Sequence, residues 1–198
     1  TPLGTVTVQP DGTWTFTPTT PLSEGPHTIN VSAQDPYGNT NTTSGTPAHD
    51  SEGPFVIDTS ATATVDIKDD SNHDDMISSV DNMTQTKLSG TIEAGGSITS
   101  LTVKDAVGNT ITIPNTAITL NPDGTWSAIV DVTSLKDGTL TTTLSAQDAL
   151  GNSAPVVSDT IEKDTVTTVT LNPIADTNDT TPTISGTGEP GSTITISD

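Results

Sequence analysis

The stretch Asn121-Pro122-Asp123-Gly124-Thr125-Trp126 decides the fold, because five of its residues have already appeared as Pro10-Asp11-Gly12-Thr13-Trp14 (126 − 14 = 112). In both places Pro, Asp and Gly supply a chain reversal, and a β-branched Thr followed by Trp opens a strand. Working outward, Ser32-Ala33-Gln34-Asp35 with Gly38-Asn39 returns as Ser145-Ala146-Gln147-Asp148 with Gly151-Asn152. The block Leu88-Ser89-Gly90-Thr91-Ile92-Glu93 returns as Ile184-Ser185-Gly186-Thr187-Gly188-Glu189, and the pair Asp58-Thr59 as Asp164-Thr165.

The blocks keep one order along the chain, so a single repeat of roughly 105 residues accounts for all of them. Residues 1–58 read as the C-terminal part of one repeat, 59–164 as a complete unit and 165–198 as the N-terminal part of a third. The complete unit predicts strands over 62–67, 87–92, 97–104, 109–120 (broken at Pro114), 125–132, 139–148 and 153–161. Gly, Pro, Asn and Asp occupy the intervening turns, and no segment sustains a helical period. About seven short strands per repeat make an all-β chain of tandem immunoglobulin-like β-sandwiches. Neither end piece holds enough strands to close a sandwich by itself.

Apolar residues are 29% of the 198 and aromatics 3%, so the core must be thin and built from Val, Ile, Leu and Ala. A low apolar content is also the composition of a disordered chain, but the regular alternation argues against disorder. Five lysines face 25 acidic residues, a net charge of −20. Nucleic acid and anionic membrane need a basic patch and are excluded as partners; cations are the natural counterpart. Without cysteine no disulfide can stiffen the repeats, and no apolar run approaches a membrane span. The chain opens at Thr1 in mid-pattern, as an excised segment would, with no signal peptide.

The phrases Leu88-Ser89-Gly90-Thr91…Gly95-Gly96-Ser97-Ile98, Asn121 to Trp126 and Leu144-Ser145-Ala146-Gln147-Asp148…Gly151-Asn152 resemble the bacterial Ig-like repeats of giant type I-secreted, repetitive adhesins. The resemblance covers the whole chain. It implies an extender module at the bacterial surface or outside the cell, serving attachment or biofilm formation. Calcium at the domain junctions is also implied, with contact to a host or abiotic surface left to other domains.

Candidate cation ligands follow from the residues themselves. Counted from Asp70, oxygen side chains fall at positions 1, 3, 5 and 12 (Asp70, Asn72, Asp74, Asp81), the spacing of an EF-hand loop. Position 6 is Asp75 instead of Gly, position 12 is Asp instead of Glu, and no helices flank the stretch, so it reads as a calcium-type loop or, alternatively, a solvated acidic one. Strand alternation puts Asp81, Asp105 and Asp137 at the end near the exit linker with Asp164. It puts the turns at Gly95, Asp123 and Asp148–Asn152 at the end near the entry linker with Asp58. Asp35, Asp105 and Asp148 with Asn152 are candidate ligands too. An Asp-x-x-Gly-Asn hairpin, however, is a good turn through its own hydrogen bonds.

Other chemistry finds little support. Trp14 and Trp126, each opening a strand, read as packing residues before a sugar platform. His27, His49 and His73 are scattered without zinc spacing, and no nucleophile elbow occurs. The expectation is a non-enzymatic extender. The alternatives are a ligand-binding or homophilic, cadherin-like adhesion module, or a spacer in a secreted polysaccharide-active enzyme.

Overall fold

The ten-residue run Gly138–Gln147 shows how this composition folds: Leu140, Thr142, Leu144 and Ala146 are buried, while the residues between them are not. Period-2 burial of this kind is a strand with one face on a core. In the computed structural model, residues 3–45, 55–68 and 76–197 are described. Contacts divide the chain into two units, Thr1–Ser60 and Ala61–Asp198.

The first unit holds β1 (Gly25–His27), β2 (Ile29–Gln34), β3 (Thr40–Gly45) and β4 (Phe55–Ile57). They form two antiparallel ladders, β1 with β4 and β2 with β3. None of its described side chains is buried.

The second unit runs β5 (Ala63–Lys68), β6 (Met76–Ser78), β7 (Thr86–Ile92), β8 (Ser97–Lys104), β9 (Thr110–Thr112), β10 (Ile118–Leu120), β11 (Thr125–Val130), β12 (Gly138–Gln147), β13 (Val157–Asp164), β14 (Val169–Leu171) and β15 (Gly186–Gly188). One sheet has the order β10-β11-β7-β5 and the other β6-β13-β12-β8-β9. Every neighbouring pair is antiparallel except β6 with β13. This is the immunoglobulin arrangement of a four-stranded sheet packed on one centred on three long strands. Leu88, Leu101, Val103, Val132, Leu140 and Leu144 form the fully buried centre between the sheets.

Three details add to the sequence expectation. The first predicted strand, 62–67, is β5, but the stretch read as an acidic loop also holds β6, which joins the other sheet and at three residues carries too little pattern to be read. The run 109–120 divides at Pro114 as expected, and the two pieces join different sheets. Proline offers no N–H to a ladder, so the chain leaves β9, makes a 3-10 turn over Asn115–Ala117 and enters β10 opposite Ala128. The last strand begins at Val157 instead of Ser153. Ser153 makes only an isolated bridge to Gln147, and Pro155 interrupts the pairing.

The recurring Ser-Gly-Thr block has a packing reason. A Cβ at Gly90 would collide with the Thr64 carbonyl oxygen and press on the Trp126 indole at 2.9 Å. Trp126 is 2% exposed in the core, whereas Trp14 is 47% exposed. The neighbouring Thr64 and Thr91 hydroxyls bond each other at 2.9 Å. In the pair β14–β15 the same scheme returns. Gly186 lies against the Thr170 carbonyl, and the Thr170 and Thr187 hydroxyls meet at 2.6 Å.

Burial makes Leu144 and Ile129 a controlled pair, at 0% and 52% exposed. Leu144→Ala is expected to cost about 2–5 kcal/mol in denaturant unfolding of the whole chain. Ile129→Ala is expected to stay within about 0.5 kcal/mol. Equal losses would contradict the facing assigned to these strands.

Candidate metal centre

The three Asp-x-x-Gly-Asn turns have one geometry. Asp35 Oδ1 accepts the N–H groups of Tyr37 (2.9 Å) and Asn39 (2.8 Å), and its Oδ2 accepts the Asn39 side chain at 2.7 Å. Asp105 binds Val107, Asn109 and the Asn109 amide at 3.1, 2.8 and 2.7 Å. Asp148 binds Leu150, Asn152 and the Asn152 amide at 2.8, 2.8 and 2.7 Å. The glycine of each turn has φ near +90 to +105°, a region a side chain resists (Gly38 88°, Gly108 103°, Gly151 91°). Each carboxylate thus gathers backbone donors that a sharp reversal would otherwise leave unpaired. Asp11, Asp123 and Asp131 do so more simply, each accepting the N–H and hydroxyl of the Thr two residues on.

The other candidates fall at the two ends of the second unit. Towards its exit, Asp81 Oδ2 accepts the Ser78 N–H and hydroxyl, both at 2.7 Å, and Ser78 pairs in register with Asp164. Asp105 sits at this same end, taking the Lys136 N–H at 3.0 Å. Asp70, Asn72, Asp74 and Asp75 lie outside the described residues. Asp58 follows β4 in the first unit, where its Oδ1 accepts the Ser60 N–H at 3.3 Å.

At the entry end, Ala63 pairs with Ile92, so the chain enters this unit beside the turn that begins at Glu93. A carboxylate oxygen of Glu93 lies within 4.8 Å of one of Asp148. Glu93 Oε2 is buried without a hydrogen-bond partner among the described residues. A shallow cleft of about 330 Å³ opens here, lined by Glu93, Gly95, Gly96, Leu120, Asn121, Pro122 and Gly124. A buried orphan oxygen beside a second carboxylate is what a hard divalent ion with oxygen ligands would satisfy. Sequence reasoning quoted Glu93 as part of a repeated phrase and did not pick it as a ligand. Its recurrence as Glu189, in the same place of the same phrase, was the available signal.

The turn carboxylates are held ionised. For Asp105, burial raises the pKa, but the N–H of Lys136 and the side chain and N–H of Asn109 outweigh it and bring the group to about 2. For Asp148, burial is again overcome by the Asn152 side chain and N–H, with Leu150 and Gly151, and the net direction is down. The Asn39 side chain and N–H lower Asp35 in the same way.

Comparison with known proteins enters at this point. Residues 1–59 match the model of the bacterial Ig-like domain family. Among solved structures, the chain is similar to a tetra-tandem repeat in the extending region of a large adhesion protein. Identity is 30% and the TM-score 0.43, over 84% of this chain and 39% of that one. This chain therefore spans about two fifths of that structure. No curated protein matches it.

Acid should loosen the fold through Asp105. An Asp pKa held at about 2 instead of the unfolded value near 3.9 stabilises the folded state fully above about pH 4. That contribution disappears as pH falls from there through about 2. Melting temperatures measured between pH 6 and pH 2 should therefore fall less steeply for Asp105→Asn, which also melts several degrees lower at pH 7. Parallel curves would remove Asp105 from the acid response.

Proposed function

We propose that the chain is part of the stalk of a large secreted bacterial surface adhesin, a non-enzymatic extender that carries a distal adhesive domain away from the cell. The carrying observation is the recurrence of one Ig-like unit with the same turn chemistry and the same Asp-Thr pair at each linker. The match of residues 1–59 to bacterial Ig-like domains supports it. Each sandwich adds roughly 25–35 Å at about 3.3 Å per strand residue, so length grows simply by repetition. Surplus acid on such a stalk keeps it soluble outside the cell.

Calcium is the second part of the proposal. Glu93 and Asp148 hold one ion at the entry end of the complete repeat. Asp58, in the entry linker, is a further proposed ligand. At the exit end the corresponding set is Asp81, Asp105 and Asp164, and the stretch Asp70, Asn72, Asp74 and Asp75 forms a further loop site. The ion offsets repulsion between gathered carboxylates and stiffens the linkers. The support is the buried Glu93 oxygen beside Asp148, an oxygen with no hydrogen-bond partner among the described residues.

A calcium titration followed by thermal melting tests this. Ion at a hundred times Kd should add about 2.7 kcal/mol to the folded state, and Glu93→Gln should reduce that gain. A melt indifferent to calcium and chelator would end the calcium reading while leaving the extender reading intact. Small-angle scattering tests the stiffening separately. The maximum dimension should be larger with calcium than with chelator, and an unchanged dimension would rule stiffening out.

A further inference from the structure

The linker threonines carry a contact that neither the turns nor the calcium proposal uses. In the second unit, the Thr165 N–H donates to Asp137 Oδ2 at 2.9 Å, and its hydroxyl reaches both Asp137 oxygens at 2.9 Å. In the first unit, the Thr59 N–H donates to Glu24 Oε1 at 2.9 Å, and the Thr59 hydroxyl bonds the same oxygen. The two contacts are equivalent by register. Asp137 precedes Gly138, which pairs with Lys163, and Thr165 lies two residues past that partner. Glu24 precedes Gly25, which pairs with Ile57, and Thr59 again lies two residues past the partner. Both glycines have positive φ, 117° and 106°.

The separation in sequence differs, 28 residues in one case and 35 in the other, so the contact survives a change in the length of the intervening hairpin. It also survives a change of acid from Asp to Glu. In the second unit Lys163, 3% exposed, adds an ion pair to Asp137 at 3.6 Å while donating to the Leu135 carbonyl at 2.5 Å. In the first unit Ile57 holds the lysine's place, so the lysine is an addition and not the basis of the contact.

We infer that each repeat carries a metal-independent exit clamp, in which the acid preceding the glycine that opens β1 or β12 grips the linker Thr beyond the paired strand, β4 or β13, and sets the direction in which the chain leaves. The Thr of the Asp-Thr pair is selected because its N–H and hydroxyl together engage one carboxylate, and the positive-φ glycine turns the chain so that the carboxylate faces the linker. The clamp rests on the extender reading for its use but not on the calcium reading, because its bonds need no ion.

Amide hydrogen exchange on the full chain, in chelator, tests it. The Thr165 amide should be protected in calcium-free buffer. Asp137→Ala should speed its exchange by about tenfold or more, with the β12 amides of Leu140 and Leu144 unchanged. Thr165→Val, which keeps the amide and removes the hydroxyl, should give a smaller increase in the same direction. Protection seen only with calcium, or exchange unmoved by Asp137→Ala, would overturn the clamp. The first of these results would leave the calcium reading standing.

Discussion

A carboxylate that collects the backbone N–H groups of a chain reversal is the interaction on which this fold depends. With apolar residues at 29% of the chain, the sandwich has one thin layer of core and little else to fix where each strand stops. A reversal leaves N–H groups without ladder partners, and an unpaired buried N–H costs about as much as a lost hydrogen bond. Asp35, Asp105 and Asp148 remove that cost with two backbone bonds each, and the Asn four residues on closes the ring. The turns at Asp105 and Asp148 close β8 and β12, the strands that carry Leu101, Leu140 and Leu144 into the core.

The acidic surplus therefore divides by role. One set locks turns, another grips linker threonines, and a third gathers where chains enter and leave a repeat. The calcium proposal concerns the third, to which Asp105 and Asp148 of the first set also belong. Glu93 beside Asp148 is the clearest member, because its inner oxygen is buried and meets no donor among the described residues. Under the proposed reading, a chain without cysteine would hold its linkers by two separate means, hydrogen bonds within a repeat and a cation between carboxylates. They differ in their response to chelation, and a repeat array under load would draw on both.

Turn chemistry is local, and so it was legible in the sequence. The Asp-x-x-Gly-Asn turns and the positions of Asp81, Asp105 and Asp164 at one end of the unit follow from turn residues and strand alternation. The weight on Glu93 does not, since a lone Glu at a turn is ordinary until its oxygen is found buried. The clamp was equally hidden. Glu24 and Thr59 are 35 residues apart, and only the pairing of Gly25 with Ile57 brings them to the same edge.

By itself, the sequence determined the repeat, the all-β class, most strands of the complete unit and the turn chemistry. These depend on period, β-branching and Gly, Pro and Asp placement over a few neighbouring residues. Only tertiary structure decided that β6 forms and joins the sheet opposite β5, that Gly90 is required because the Thr64 carbonyl and Trp126 crowd it, and which carboxylates face one another. Those outcomes depend on contacts between residues far apart in the chain, where a local pattern carries no information about distance.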